Sequence, residues 1–267
     1  MKAGRCILLL AGALLAGASS ARGGEAIPLA ARLEGLAQSY PAYIAGIEGN
    51  HLILRDGHRI VIDDGKEKTH EQKLDDADIE DMLSQVYPMG ACYAGGQPAV
   101  NFDPGRIRNQ AFFARLYGAD VAAVGANLVA IDWFGQRLRV TRTAGVDRAL
   151  VRVRDELAAL GPGFQGILSP SAGTFVWRPI AGTKRLSPHS FGIAIDINTK
   201  YSDYWRWAGE KPGKVVSYKN RVPMEIVRVF ERHGFIWGGK WYHYDTMHFE
   251  YRPELIRIGE LAERAGC

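Results

Sequence analysis

Within "SPHSFGIAID", residues 187–196, a histidine and an aspartate stand seven positions apart around a glycine and a short apolar run. An ionised carboxylate among isoleucines is costly to bury without a compensating metal, proton or ion-pair partner. Asp196 therefore requires one. Downstream, "YDTMHFEY" supplies Asp245, His248 and Glu250. Alternate side chains of a strand share a face, which sets Asp196 with Ala194 and Asn198, opposite Ile193, Ile195 and Ile197. The same rule sets His248 with Glu250, opposite Phe249 and Tyr251. His189, Asp196 and His248 would form a three-ligand site with open positions, as zinc is held for catalysis rather than for structure. Asp245 would then sit beside a metal-bound water as its base. Spacing alone also allows the plainer reading, in which core histidines are simply hydrogen-bonded.

The elements that must position these residues are legible in the pattern. "HLILRDGHRIVID" reads as a hairpin turning at Asp56-Gly57. "DDADIEDMLSQVY" carries Ile79, Leu83 and Val86 at helical spacing, and "RNQAFFARLYG" reads as a helix closed by Gly118. Between them residues 88–105 form a Pro- and Gly-rich loop, long enough to line a site. "NLVAIDW" and "RLRVT" read as a second hairpin around Gly135, followed by a helix with Leu150, Val153, Leu157 and Leu160 on one face. "TFVWR", "GIAIDIN" and "MHFEY" read as strands, "PMEIVRVFERHG" as a helix, and a last helix starts at Pro253. Hairpins mixed with helices, without strict βαβ alternation, argue for an α+β fold with an antiparallel sheet and flanking helices.

Composition sets the bounds. Of 267 residues 47% are hydrophobic, which is enough for a sizeable core. Lys2 and Arg5 precede an apolar run from Ile7 to Gly17, with small residues through Ala21, so residues 1–21 read as a secretory signal. The run is too short to span a bilayer, so no membrane anchor is expected after cleavage. Without those residues the formal charge falls from +4 to +2, and no basic stripe suggests nucleic acid. Cys6 leaves with the signal, and Cys92 and Cys267 remain as a possible disulfide in an oxidising compartment.

The strings S-x-H-x-x-G-x-A-x-D and D-x-x-H-F-E, with "GFIWGGKWYHYDTMHFE" around the second, resemble the zinc D-alanyl-D-alanine carboxypeptidase / L-alanyl-D-glutamate endopeptidase family. That family shares its fold with the hedgehog signalling domain. The resemblance spans roughly residues 126–255 and implies a zinc peptidase domain over 126–267, with residues 22–125 an N-terminal α+β extension of unstated role. It implies one zinc per chain on His189, Asp196 and His248, Asp245 as general base, and Arg178 in "GTFVWRPI" holding the substrate near the scissile carbonyl. Ser187 and Trp237 are the further expected substrate contacts. Trp237, Trp241 and Tyr244 line a peptide groove in this reading and pack in the core in the other. Glu250 either orients a ligating histidine or makes a surface salt bridge. His243 is either a substrate contact or an exposed loop residue, and His233 caps a helix end. "HEQKL" lacks the second histidine of H-E-x-x-H, and the Ser-x-x-Lys and Lys-Thr-Gly strings are absent.

The implied activity is hydrolysis of peptidoglycan stem peptides by an exported, periplasmic or extracellular enzyme. An aspartate as base favours the L-alanyl-D-glutamate-type endopeptidase over the D-alanyl-D-alanine carboxypeptidase. A zinc module that binds without cutting is the remaining class, and it would have no need of Asp245.

Overall fold

The computed structural model describes residues 27–267. The signal-like segment 1–21, with Cys6, lies outside the described residues. The chain begins with helix α1 (Leu29–Ser39) and an antiparallel meander of β1 (Ile44–Glu48), β2 (His51–Leu54) and β3 (Arg59–Val61). The β2–β3 turn uses Asp56-Gly57, where Gly57 takes φ +83° and the Asp56 carboxylate accepts from the His58 amide at 3.0 Å. Short helices α2 (His70–Asp75) and α3 (Ile79–Met82) follow, each opened by a reciprocal capping box. The helix expected to run through Val86 ends at Met82. The Ser84 hydroxyl donates to the Asp81 carbonyl at 2.7 Å, competing with the helical ladder.

Helices α4 (Gln110–Tyr117) and α5 (Val121–Gly125) lead to the hairpin β4 (Leu128–Trp133) and β5 (Gln136–Thr141). Helix α6 (Val146–Ala159) covers it with Ala149, Leu150, Val153 and Leu157; Leu160, one residue past its end, is exposed. After the short α7 (Gln165–Leu168) comes the sheet that carries the chemistry. It comprises β6 (Ala194–Asp196), β7 (Phe235–Trp237) and β8 (His248–Tyr251) in the order β6-β8-β7, all antiparallel. Helix α8 (Met224–Arg232) packs on β7, and Phe230 stacks on Phe249 with ring centroids 3.8 Å apart. Helix α9 (Pro253–Arg264) closes the chain against α1.

"TFVWR" is not a ladder strand. Its backbone groups bond the turn before β6 instead: Val176 donates to the His189 carbonyl at 3.3 Å, and Arg178 to the Ser190 hydroxyl at 2.9 Å. Every backbone donor needs some partner, and the turn supplied it. The α+β architecture agrees with the composition of elements read from the sequence.

One hydrophobic cluster runs from Leu33 to Ile258 and takes in Tyr40, Tyr87, Phe112 and Phe113 together with Ile195, Phe230 and Phe249. Packing therefore shows no break at residues 125–126. Cys92 and Cys267 form a disulfide, tying the 88–105 loop to the end of α9. The loop itself lies on the Trp-Gly-Gly segment. Trp241 donates its indole N–H to the Pro104 carbonyl at 2.7 Å, and the Tyr242 amide donates to Phe102 at 2.8 Å. No helix among the described residues is long and apolar enough to cross a membrane.

Candidate active site

Register brings the ligand-type residues together. Asp196 lies directly opposite His248 across the β6–β8 pair, so both side chains leave the same face, while Ile195 and Phe249 point into the core. His189 arrives from the 3₁₀ turn Pro188–Phe191, whose N-cap is Ser187. Gly192 then reverses the chain at φ +66°, against the backbone of Thr141 and the side chain of Leu128. A Cβ there would clash, which explains the glycine between turn and strand.

Three ligand atoms converge. His189 Nε2 lies 3.3 Å from His248 Nδ1 and 3.3 Å from Asp196 Oδ2, and His248 Nδ1 lies 3.0 Å from Asp196 Oδ1. His189 donates its other ring N–H to the Thr174 carbonyl at 2.7 Å, which leaves the Nε2 lone pair facing the centre. His248 Nε2 faces Glu250 Oε2 at 3.5 Å, which directs its Nδ1 the same way. Two imidazole lone pairs aimed at each other and at a carboxylate repel unless a cation or proton lies between them. Tetrahedral zinc with bonds of about 2.0–2.1 Å separates its ligand atoms by roughly 3.3 Å. The three residues fit that ion.

The electrostatics point the same way. Burial works against the His248 imidazolium, yet Asp196 and Glu250 outweigh it and raise the group to about 10. Burial would raise Asp196, but His189 and His248 hold it far below the usual carboxylate range. The centre favours positive charge.

Asp245 borders the same cleft as the three ligand residues. Its Oδ1 is buried without a hydrogen-bond partner. Burial, and then the nearby Asp196 carboxylate, push its carboxyl up to about 6. An unpaired carboxylate oxygen beside a centre that favours positive charge is suited to take a proton from water. Arg178 and Ser187 also line this cleft, Arg178 as an exposed side chain and Ser187 almost fully buried.

Three expectations need correction or choice. Trp237 does not reach the cleft: it is fully buried, donates its indole N–H to the Thr246 carbonyl at 2.9 Å, and stacks on Phe249. It is the pleat of β7 that sends it to the core. Glu250 is no surface residue. It is fully buried behind His248, between Arg108 and Arg252, and although burial opposes it, these cations and His248 lower its carboxyl to about 2. His243 is neither exposed nor free. Its Nδ1 pairs with Asp103 at 2.7 Å and its Nε2 accepts from the Gly213 amide at 3.1 Å.

The sequence reading missed the contribution of the loop after Phe102. Arg106 and Arg108 line the cleft, with Arg185, Tyr204 and Arg206. Only the length and Pro/Gly content of residues 88–105 hinted that a site wall lay there.

No match was found among curated proteins or among solved structures. Residues 181–251 do match a family model described as D-alanyl-D-alanine carboxypeptidase. The matched stretch holds His189, Asp196, Asp245 and His248, while Arg178, Arg106 and Arg108 fall before it.

Proposed function

We propose that this protein is a zinc-dependent peptidase that hydrolyses peptidoglycan stem peptides, cutting as an L-alanyl-D-glutamate-type endopeptidase. The observation that carries the reading is the convergence of His189, Asp196 and His248 within 3.0–3.3 Å beside the unpaired oxygen of Asp245. A bound zinc ion would supply Lewis acidity toward the scissile carbonyl and make a water easier to deprotonate at neutral pH. Asp245 takes the proton of the attacking water at Oδ1 and passes it to the leaving amine. Arg178, exposed at the cleft edge, holds the substrate and offers positive charge to the carbonyl oxygen as it becomes anionic. Glu250, clamped between Arg108 and Arg252, keeps the His248 ring oriented. A purely binding module would not need a buried carboxylate with an empty acceptor at this position.

The second reading, a D-alanyl-D-alanine carboxypeptidase, is favoured by the description of the matched family. The disulfide suits an oxidising compartment, which supports export. The test is mass spectrometry of muropeptides incubated with the purified chain, with chelator, and after zinc is restored. Cleavage that chelator abolishes and zinc restores is expected, and the mass lost identifies the bond. Unchanged muropeptides in the presence of zinc would overturn the reading.

A further inference from the structure

A second, larger space lies beside the cleft of His189, Asp196 and His248. The cleft has a volume of about 130 Å³, and the adjoining cavity about 990 Å³. The two share Arg106, Ala181, Arg185 and Arg206 as common walls, so they adjoin. Ligand-sized pockets run to roughly 300–1,000 Å³, so a bound peptide would occupy the cavity as well as the cleft.

The shared walls are cationic. Arg106 donates to the His243 carbonyl at 3.2 Å and lies over the Trp241 ring, which fixes its head at the junction. Arg206 is exposed and stacks on Trp205. Arg185 lines both spaces, and Lys184, its neighbour in sequence, lines the larger one. Arg106, Lys184, Arg185 and Arg206 outnumber the acidic residues that line the cavity, Glu71, Asp75 and Asp103. Asp103 is engaged by His243, accepting both its ring N–H and its backbone amide, and Asp75 faces Arg185 at 3.2 Å. Among the described residues Arg106, Lys184 and Arg206 form no ion pair of their own. Clustered guanidinium groups repel one another and are stabilised by an anion that bridges them, most strongly by a carboxylate held bidentately.

We propose that Arg106 and Arg206, with Arg185 beside them, form a subsite for the free carboxylate that the glutamyl residue of the peptide substrate carries next to the bond that is cut. Arg106 belongs to the 102–108 loop, so the N-terminal part of the chain sets specificity as well as packing. The inference rests on the peptidase reading for its substrate class, and a binding measurement separates the two. The probes are two synthetic stem peptides, identical except that the free carboxylate of the glutamyl residue is a carboxamide in one. Their affinities are measured by calorimetry on the zinc-loaded full chain carrying Asp245→Asn, so that neither is turned over.

The acid peptide should bind at least about tenfold more tightly than the amide. Arg206→Gln or Arg106→Gln should bring the two within about twofold by weakening only the acid, and Arg206→Lys should restore part of the difference. A uniform loss for both peptides would mark the arginines as merely structural and overturn the subsite. So would equal affinities in the chain with both arginines, even where the unsubstituted protein cleaves both peptides. Discrimination without cleavage by that protein would uphold the subsite and overturn the peptidase reading.

Discussion

His189, Asp196 and His248 differ from Asp245 in how their polar atoms are satisfied. The three candidate ligand residues face one another, whereas Asp245 keeps a buried oxygen without a partner. Their variants should therefore separate. Asp245→Asn is nearly isosteric and should retain one zinc while lowering turnover by roughly 10²–10⁴-fold. Asp196→Asn should lose zinc first, with activity tracking occupancy. Metal analysis beside kinetics checks both, and zinc loss in Asp245→Asn would make that residue a ligand. Glu250 gives a pH test. Its folded pKa of about 2 lies below the ordinary 4.5, so its stabilisation is complete above pH 4.5 and is lost as pH falls toward 2. A shift of that size corresponds to about 3 kcal/mol. Urea denaturation of the metal-free chain at pH 7 and pH 3 should show a steeper loss than in Glu250→Gln. Equal losses would remove Glu250 from the account.

Among the elements, the segment between β7 and β8 leaves no room for side chains at its two glycines. A Cβ on Gly239 would come within 2.1 Å of the Trp237 ring, and one on Gly238 within 2.5 Å of the Asp245 carbonyl. The Asp245 amide returns the contact by donating to the Gly238 carbonyl at 3.0 Å. The glycine pair thus lets the backbone fold under the base. Gly239→Ala should destabilise by about 1–3 kcal/mol through overpacking, and thermal unfolding measures it. Gly238→Ala should displace Asp245 and lower activity more than stability. If the two variants behave alike, the glycines act only in packing.

For the whole molecule, the common core decides whether the N-terminal part can be removed. Tyr87 donates to Glu231 at 2.6 Å and accepts from the Trp237 amide, and Lys240 bonds both Glu231 and the Pro88 carbonyl. Arg108 stands behind Glu250, and Tyr40 donates to Glu254 at 2.7 Å. A chain starting at residue 126 would leave these groups unpaired and expose the faces that Phe112 and Phe113 cover. It should fail to unfold cooperatively, in contrast to residues 22–267. A sharp thermal transition in the shorter chain, with zinc bound, would show instead that the peptidase region is an independent domain.

That Asp196 and His248 each leave a strand on a face opposite its core residues was legible in sequence because period-two alternation fixes which side chains share a strand face, whereas His189, in a turn, and Asp245, ahead of β8, were picked out by their motif strings. Turn chemistry did the same for the hairpins at Asp56-Gly57 and Gly135. Other features depend on contacts between residues far apart in the chain. The reach of Arg108 to Glu250 and the pairing of Asp103 with His243 have no local signature, since no spacing rule connects positions separated by more than a hundred residues, and the burial of Trp237 depends on its register opposite Phe249. The fate of "TFVWR" was also a tertiary matter. Its β-branched and aromatic residues suit a strand, but its donors bond the turn at residues 187–191 instead of a ladder. Local pattern determined which side chains the chain offers for chemistry, and long-range packing decided which residues wall the cleft, because only folding brings the 102–108 loop against His189, Asp196 and His248.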